Sequence, residues 1–123
     1  MRRFLLLPVL LATAVPATAQ TALTAEEELQ CGLLFAAIGG QAKDESAKAG
    51  FGFILSYFLG RYEGRTGKSF EQGATPEVAI KAMVSASTLG PRCQAAAQSM
   101  AERAKTMGKV MQEQGRKLQG EGK

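Results

Sequence analysis

The sequence predicts an all-α protein, a small bundle of about four helices held by one disulfide. Three observations lead to this prediction. Apolar residues recur at steps of three and four, glycines and prolines separate the apolar stretches, and β-branched residues are scattered instead of clustered. The chain has 123 residues, and the part that follows its predicted leader has the size of one small domain with a single core.

The first 19 residues have the organisation of an export signal. Two arginines follow the initial methionine, an apolar run comes next, and Ala17-Thr18-Ala19 is a small-residue pattern that a signal peptidase recognises. Prolines and a threonine interrupt the run before it reaches the roughly 20 apolar residues of a membrane span. We therefore predict cleavage after Ala19, no stable membrane anchor afterwards, and a periplasmic or secreted location.

Three segments are predicted: the signal at 1–19, a single helical domain at 20–112, and a flexible tail at 113–123 that is rich in Gln, Lys and Gly. Removing the two arginines of the signal lowers the formal net charge from +4 to +2. Such a small charge does not imply nucleic-acid binding. The bases are concentrated after residue 78, which suits an acidic partner, an anionic surface or a plain solvated helix face.

Cys31 and Cys93 are predicted to form a disulfide, because exported proteins work in an oxidising compartment and these are the only two cysteines. A redox pair would normally have the Cys-x-x-Cys spacing, which these two lack. Zinc normally needs four ligands, and the chain has no histidine. We therefore expect no metal site and no cofactor.

Two helices are predicted in the first half of the domain. The first begins after Thr24, which forms a capping-box pattern with Glu27, and ends at the glycine pair 39–40. The second begins near Asp44 or Ser46 and has the clearest amphipathic pattern. Its core face is predicted to consist of Phe51, Ile54, Leu55, Phe58, Leu59 and Tyr62.

A glycine-rich loop with a helical fragment near Phe70 is predicted from 60 to 75. Thr75 and Pro76 then form a favourable start for a third helix, which we expect to end at Gly90-Pro91. The residues expected to line the third helix are Val78, Ile80, Met83, Val84 and Leu89. The fourth helix has a packing seam with steps of four and three, at Cys93, Ala97, Met100, Ala104, Met107, Met111, Gln114 and Leu118.

Four methionines could supply thioether ligands to monovalent copper. They are Met83, Met100, Met107 and Met111. Three of them fall on the predicted packing seam, and methionine is a common gap-filler in helical cores. The spacing therefore favours core residues over a copper site.

The segment 61–68 is the most suggestive surface feature of the sequence. Its possible contacts to an anion or a partner are Arg61, Tyr62, Arg65 and Lys68. It is not a P-loop, since position 62 is tyrosine where that motif has glycine, and a solvated helix end is the other interpretation. With no histidine to act as a general base and no matched pair of carboxylates, we expect a protein that is not an enzyme.

The layout resembles two groups of small periplasmic helical proteins that are held by one disulfide. The likeness consists of the export signal, a first helix with Cys31, a middle helix with Tyr57-Phe58-Leu59-Gly60, and helices divided around Pro91-Arg92-Cys93. One group is the acid-activated HdeA-type chaperones, for which the resemblance implies acid-triggered loosening that exposes apolar surface. The other group is the immunity proteins that block secreted cell-wall amidases. Resemblance to these implies a rigid helical face that plugs an enzyme groove.

The predicted function is therefore a non-enzymatic binding or protein-interaction module of the immunity or inhibitor kind, whose partner is another exported protein. Two alternatives stay open. One is a periplasmic acid-stress chaperone. The other is a carrier of a small apolar or anionic ligand, bound in a pocket lined by Phe51, Phe58 and Tyr62. The oligomeric state is not predicted.

Overall fold

The computed structural model describes residues 22 to 121, which form five helices and no strands. The helices are α1 (Ala25–Gln41), α2 (Glu45–Thr66), α3 (Phe70–Gly73), α4 (Pro76–Val84) and α5 (Ala86–Glu121). The all-α class and the disulfide are confirmed, with five helices where about four were predicted. The predicted signal lies outside the described residues.

The predicted helix starts at Thr24 and Thr75 are confirmed, and of the two starts offered for the second helix the structure has the cap at Asp44. Thr24 Oγ1 accepts a hydrogen bond from the N–H of Glu27 at 3.2 Å, and the Glu27 carboxylate accepts from the N–H of Thr24 at 2.8 Å. Asp44 caps α2, and Thr75 caps α4 with Pro76 at the first helical position. These caps satisfy amide groups that have no partner inside a helix.

The loop predicted from 60 to 75 is mostly helical, so that prediction is wrong for residues 60 to 66. α2 continues to Thr66 and ends at Gly67, whose φ of 68° is the left-handed conformation that glycine adopts without strain. The Glu63 carboxylate then accepts a hydrogen bond from the N–H of Phe70 at 2.9 Å. This bond fixes the start of the short helix α3 against the end of α2.

The predicted break at Gly90-Pro91 is also wrong, because α4 and α5 meet at Ser85. The Ser85 carbonyl accepts from the N–H of Leu89 at 2.8 Å, which begins α5. Pro91 lies inside α5, where it removes one helical hydrogen bond. The helix continues through it because Leu89, Cys93 and Ala97 are buried along one face on both sides of the proline.

The core lies where α1, α2 and α5 meet. Phe58 is completely buried, and its ring stacks on that of Phe35 with 5.8 Å between centroids. The disulfide between Cys31 and Cys93 packs in the same cluster and links α1 to α5, with Cα atoms 5.4 Å apart. The core thus combines the stacked rings of Phe35 and Phe58 with the disulfide that links α1 to α5.

Two predictions of burial are wrong. α4 turns Ala82 into the core, which leaves three apolar side chains of its predicted lining exposed: Ile80, Met83 and Val84. On α5 the predicted seam is buried only at its beginning, because Met107 and Met111 are exposed instead of packed in a core. A helix can bury a periodic apolar face only where a second element lies against it.

The predicted flexible tail is not confirmed, because α5 continues through Glu121. Residues 101 to 120 of α5 form what we call the distal arm, and every residue of it except Gly115 is exposed. At 1.5 Å per residue the arm is roughly 30 Å long. Residues 22 to 121 therefore form a disulfide-closed body from which the distal arm of α5 extends.

Candidate functional site: an arginine-lined cleft beside a buried glutamate

Three consecutive glutamates at the start of α1 contact three different helices. The pairs are Glu26 with Lys81 of α4, Glu27 with Arg92 of α5, and Glu28 with Arg61 and Arg65 of α2. The side chains diverge because successive residues of a helix are rotated by about 100°. The first turn also favours negative charge through the helix dipole. Ion pairs therefore tie α1 to α2, α4 and α5.

Glu28 is the most buried charged group of this arrangement, with a side chain that is 0% exposed. Its Oε1 accepts from Arg61 Nε at 2.6 Å and lies 3.1 Å from Arg65 Nη1. Its Oε2 is buried and has no hydrogen-bond partner among residues 22 to 121. A buried carboxylate is costly unless it is paired, so the two guanidiniums, 43% and 46% exposed, are required to balance it.

Both of these arginines are fixed in position. The Arg61 guanidinium lies over the Tyr57 ring, 5.7 Å from its centroid, and the hydrogen bond to Glu28 raises the pKa of Arg61. Arg65 Nη1 also donates to the carbonyl of Leu23 at 2.8 Å. Arg61 therefore stays charged and oriented, which is what recognition of an anion requires.

Arg92 forms a bidentate ion pair with Glu27. Its Nη1 and Nη2 atoms lie 2.5 Å and 3.1 Å from the two carboxylate oxygens. The hydrogen bond from Arg92 lowers the pKa of Glu27, and the N–H of Thr24 lowers it further. This bidentate geometry is the strong form of an ion pair, and it fixes α5 against the cap of α1.

The arginines border a cleft of about 310 Å³ between α2, α5 and the segment before α1. Its lining consists of Ala22, Leu23, Glu28, Tyr57, Arg61, Arg92, Ala95, Ala96, Ser99 and Arg103. Three arginines against one glutamate give the cleft an excess of positive charge, while the leucine and the alanines form apolar walls. The cleft is chemically suited to an anion with a small apolar part.

The sequence-predicted contact residues do not all reach this cleft. Arg61 lines it, and Arg65 lies beside it on Glu28. Tyr62 is buried in the core, where its ring meets that of Phe70 edge-on with 6.4 Å between centroids. Lys68 is exposed in the turn between α2 and α3. Only the two arginines of the predicted group are therefore brought together.

Sequence reasoning missed the contribution of α5 to the cleft. Arg92, Ser99 and Arg103 line it together with Ala96. A signal was present, since these four positions follow one another at steps of four, three and four, which places them on one face of a helix. No sequence pattern indicated that Glu28 is buried. An acidic residue in the first turn of a helix is already explained by the helix dipole, whether it is buried or exposed.

The three aromatic residues predicted to line a ligand pocket are separated. Phe58 and Tyr62 are buried within the core. Phe51 instead lines an apolar groove of about 490 Å³ between α1, the start of α2 and α5, together with Phe35 and Ile38. The aromatic side chains therefore fill the body of the protein, and the groove is bordered by only one of the three.

Neither a family model, nor a curated protein, nor a solved structure matches this chain. Within the described range 22–121, none of the helices combines the length and the apolar character that crossing a membrane requires. The same part of the chain has no group of three His, Cys, Asp or Glu side chains arranged to hold a metal ion.

The lowered pKa of Glu27 predicts that acid weakens the fold. A carboxylate with a lower pKa in the folded state stabilises the protein above its ordinary pKa, here 4.5, and this contribution disappears as the pH falls through the folded value. We expect Glu27→Gln to reduce the free energy of unfolding by about 1 kcal/mol at neutral pH, the level of a partly screened ion pair. The difference from wild type should shrink as the pH approaches about 3.

Urea unfolding of both proteins between neutral pH and about pH 3 measures this difference. Glutamine at this position keeps the reciprocal capping bond, so the comparison isolates the charge. Glu102→Gln is a matched control, because its carboxylate pairs with Lys105 on the surface, and it should change stability little at any pH. A gap between wild type and Glu27→Gln that is the same at every pH would contradict the prediction.

Proposed function

We propose that this protein is a non-enzymatic interaction module that acts after export by binding another exported protein. The signal pattern at 1–19 supports export, as does the buried disulfide, since such bonds persist mainly in oxidising compartments. The chain also has no histidine, which is the residue most often used in general acid–base catalysis.

An apolar stripe on the distal arm is the observation that carries the proposal. Met107, Met111 and Leu118 are 61%, 66% and 72% exposed, and Val110 beside them is 46% exposed. Residues at these steps of four and seven lie along one side of a helix. Contiguous exposed apolar surface marks interaction sites, and a helix with one apolar face fits the groove of a partner.

The composition of the arm indicates that a partner stabilises its helix. Gly108 and Gly115 lie in the interior of α5, where a glycine costs about 1 kcal/mol relative to alanine. Most helices offset such costs by packing an apolar face, but the arm is exposed over its length. Docking of the stripe into a groove would supply that packing.

The charge of the arm favours an acidic partner over a second copy of the chain. Residues 101 to 120 contain five bases and two acids. With Met107 at position d and Met111 at position a of a heptad, the positions that flank the stripe are e and g. The charged residues at these flanking positions are Arg103 and Lys117. Two copies would bring these bases to an interface without a flanking acid, whereas an apolar groove with an acidic rim would pair with both.

A photo-reactive amino acid at position 111 tests this proposal in cells of the source organism. We expect it to cross-link one exported protein, because Met111 lies in the middle of the stripe. The same amino acid at position 113 is the control, since that position is turned about 200° away around the helix. Cross-links only between copies of this chain, or equal labelling from both positions, would contradict the proposal.

The purified pair then provides a quantitative measurement. The two proteins should form an equimolar complex at neutral pH. The double change Met107→Glu and Met111→Glu should weaken it by at least about tenfold, as expected for residues at the centre of an interface. Lys105→Gln, which alters the arm outside the stripe, should change the affinity much less.

The three glutamate contacts favour a second candidate function, an acid-triggered chaperone. Loss of the negative charges in the first turn of α1 would weaken the ion pairs that hold α1 to α2, α4 and α5, while the disulfide would keep α1 attached to α5. Loosening of this kind exposes core residues. The protein should then bind an apolar dye and suppress aggregation of other proteins near pH 2–3. Absence of dye binding under those conditions would eliminate this candidate.

A further inference from the structure

We infer that the arginine-lined cleft binds a small organic oxyanion, a carboxylate or a phosphate, through Arg61, Arg92 and Arg103. The volume of about 310 Å³ is at the lower end of the range for small-molecule sites. The inference goes beyond the proposed function and does not rest on it, because Met107 and Met111 of the docking stripe do not line the cleft, and Arg103 is the residue that the two surfaces share.

Two of the three arginines are held in place before any ligand arrives. Arg61 Nε donates to Glu28 at 2.6 Å, and Arg92 grips Glu27 at 2.5 and 3.1 Å. A guanidinium has five N–H donors, of which the bond from Arg61 to Glu28 uses one. Donors that are fixed in advance lose less conformational freedom on binding.

Arg103 is the third cation, and it differs from the other two. It is exposed and forms no ion pair with any residue in the described part of the chain. It lies about three turns beyond Arg92 on the same face of α5, with Ser99 between them on the cleft wall. The Ser99 hydroxyl can donate to an oxyanion, and the Arg103 side chain can close over it from the open side.

Positive charge exceeds negative charge around the cleft. Four arginines surround it, at positions 61, 65, 92 and 103, and two glutamates, Glu27 and Glu28, face them. The negative charge of the buried Glu28 carboxylate repels an anion. Two of the guanidiniums pair with its Oε1, while its Oε2 has no hydrogen-bond partner among residues 22 to 121. The remaining excess favours a ligand with one or two negative charges.

The apolar residues of the cleft wall favour an organic anion over an inorganic one. Leu23, Ala95 and Ala96 form an apolar side of the cleft next to the arginines. A bare ion would leave this surface against water, whereas a short hydrocarbon group attached to the anion would cover it. The chemical class is therefore a small carboxylate or phosphate ester with a short apolar portion.

Titration of the ¹⁵N-labelled protein with defined probes tests the inference. The probes are inorganic phosphate, acetate and butyrate, with butyramide as the uncharged analogue of butyrate. We expect saturable shifts of Ser99 and of the arginine side chains in the millimolar range, tighter binding of butyrate than of acetate, and no binding of butyramide. Saturation by butyrate, tighter than by acetate or inorganic phosphate, supports the inference, whereas saturation by inorganic phosphate alone would contradict the organic class. Lack of saturation by every anion at about 100 mM would overturn it.

Matched variants locate the binding in the cleft. Arg103→Gln should weaken binding of the best probe by about fivefold or more, since it removes a charge-assisted contact. Arg103→Lys should have an intermediate effect, because it keeps the charge and loses the planar fork. Lys109→Gln makes the same change of charge elsewhere on the arm and should alter affinity less than twofold. Equal weakening by Arg103→Gln and Lys109→Gln would show a non-specific charge effect and contradict the inference.

Discussion

Replacing both Cys31 and Cys93 by alanine should lower the free energy of unfolding by about 4 kcal/mol. The disulfide joins residues 62 positions apart, so its removal releases a long loop in the unfolded chain and increases the entropy of that state. A small domain has a total stability of about 5–15 kcal/mol. The variant should therefore keep only a narrow margin, and α5 should be the first element to separate from α1.

Urea unfolding in oxidising buffer measures the difference between wild type and the double variant. Both cysteines are buried, so alanine also removes packed atoms. Reduction of the wild type separates the two effects, because it cuts the bond and keeps both sulfurs. The reduced wild type should lose most of the same stability, and the reductant should leave the double variant unchanged. Equal stability of the oxidised and reduced wild type would contradict the prediction.

Phe58→Ala should lower the free energy of unfolding by about 3–5 kcal/mol. Phe58 is 0% exposed, its ring stacks on Phe35, and Tyr57 meets it edge-on with 5.1 Å between centroids. Alanine would remove these contacts and leave a cavity beside the disulfide, since Cys31 belongs to the same cluster. Close-packed interiors cannot collapse fully into such a space.

Phe53 offers a matched control on the same helix. It is 58% exposed, so Phe53→Ala removes an identical set of atoms and should cost less than about 0.5 kcal/mol. Chemical unfolding of both variants measures the contrast. Phe58→Leu should recover part of the loss because it refills most of the volume. Similar effects of Phe53→Ala and Phe58→Ala would show that α2 does not pack as described.

Local signals in the sequence were reliable where the structure is itself local. Thr24, Asp44 and Thr75 cap their helices as predicted, because a capping bond spans only three residues. The pairing of Cys31 with Cys93 was also predictable, since the chain has two cysteines and no other candidate.

Signals that depend on neighbouring elements were less reliable. Gly90-Pro91 predicted a break, yet burial of Leu89 and Cys93 holds one helix through it. The spacing of the methionines in α5 correctly placed them on one face of the helix. It did not show that Met107 and Met111 on this face are exposed. Periodicity shows which residues share a side of a helix, and only the packing of the other helices shows whether that side is buried.

The candidate site follows the same division. Arg61 and Arg65 were identified from the sequence as possible contacts to an anion or a partner, and the structure places them four residues apart on α2. The partner of that pair, Glu28, lies more than thirty positions away in the chain and is buried between helices. Arg92 and Arg103 join the cleft because the disulfide and the bond to Glu27 place α5 against α1.

By itself, the sequence determined the helical class, the starts of α1, α2 and α4, and the disulfide of this protein, because each depends on residues close in the chain or on a unique pair. Only the tertiary structure decided that three neighbouring glutamates bind three helices, that four arginines gather around one cleft, and that the distal arm stays exposed. These features depend on distances between segments far apart in the chain, which are set by how the helices pack together.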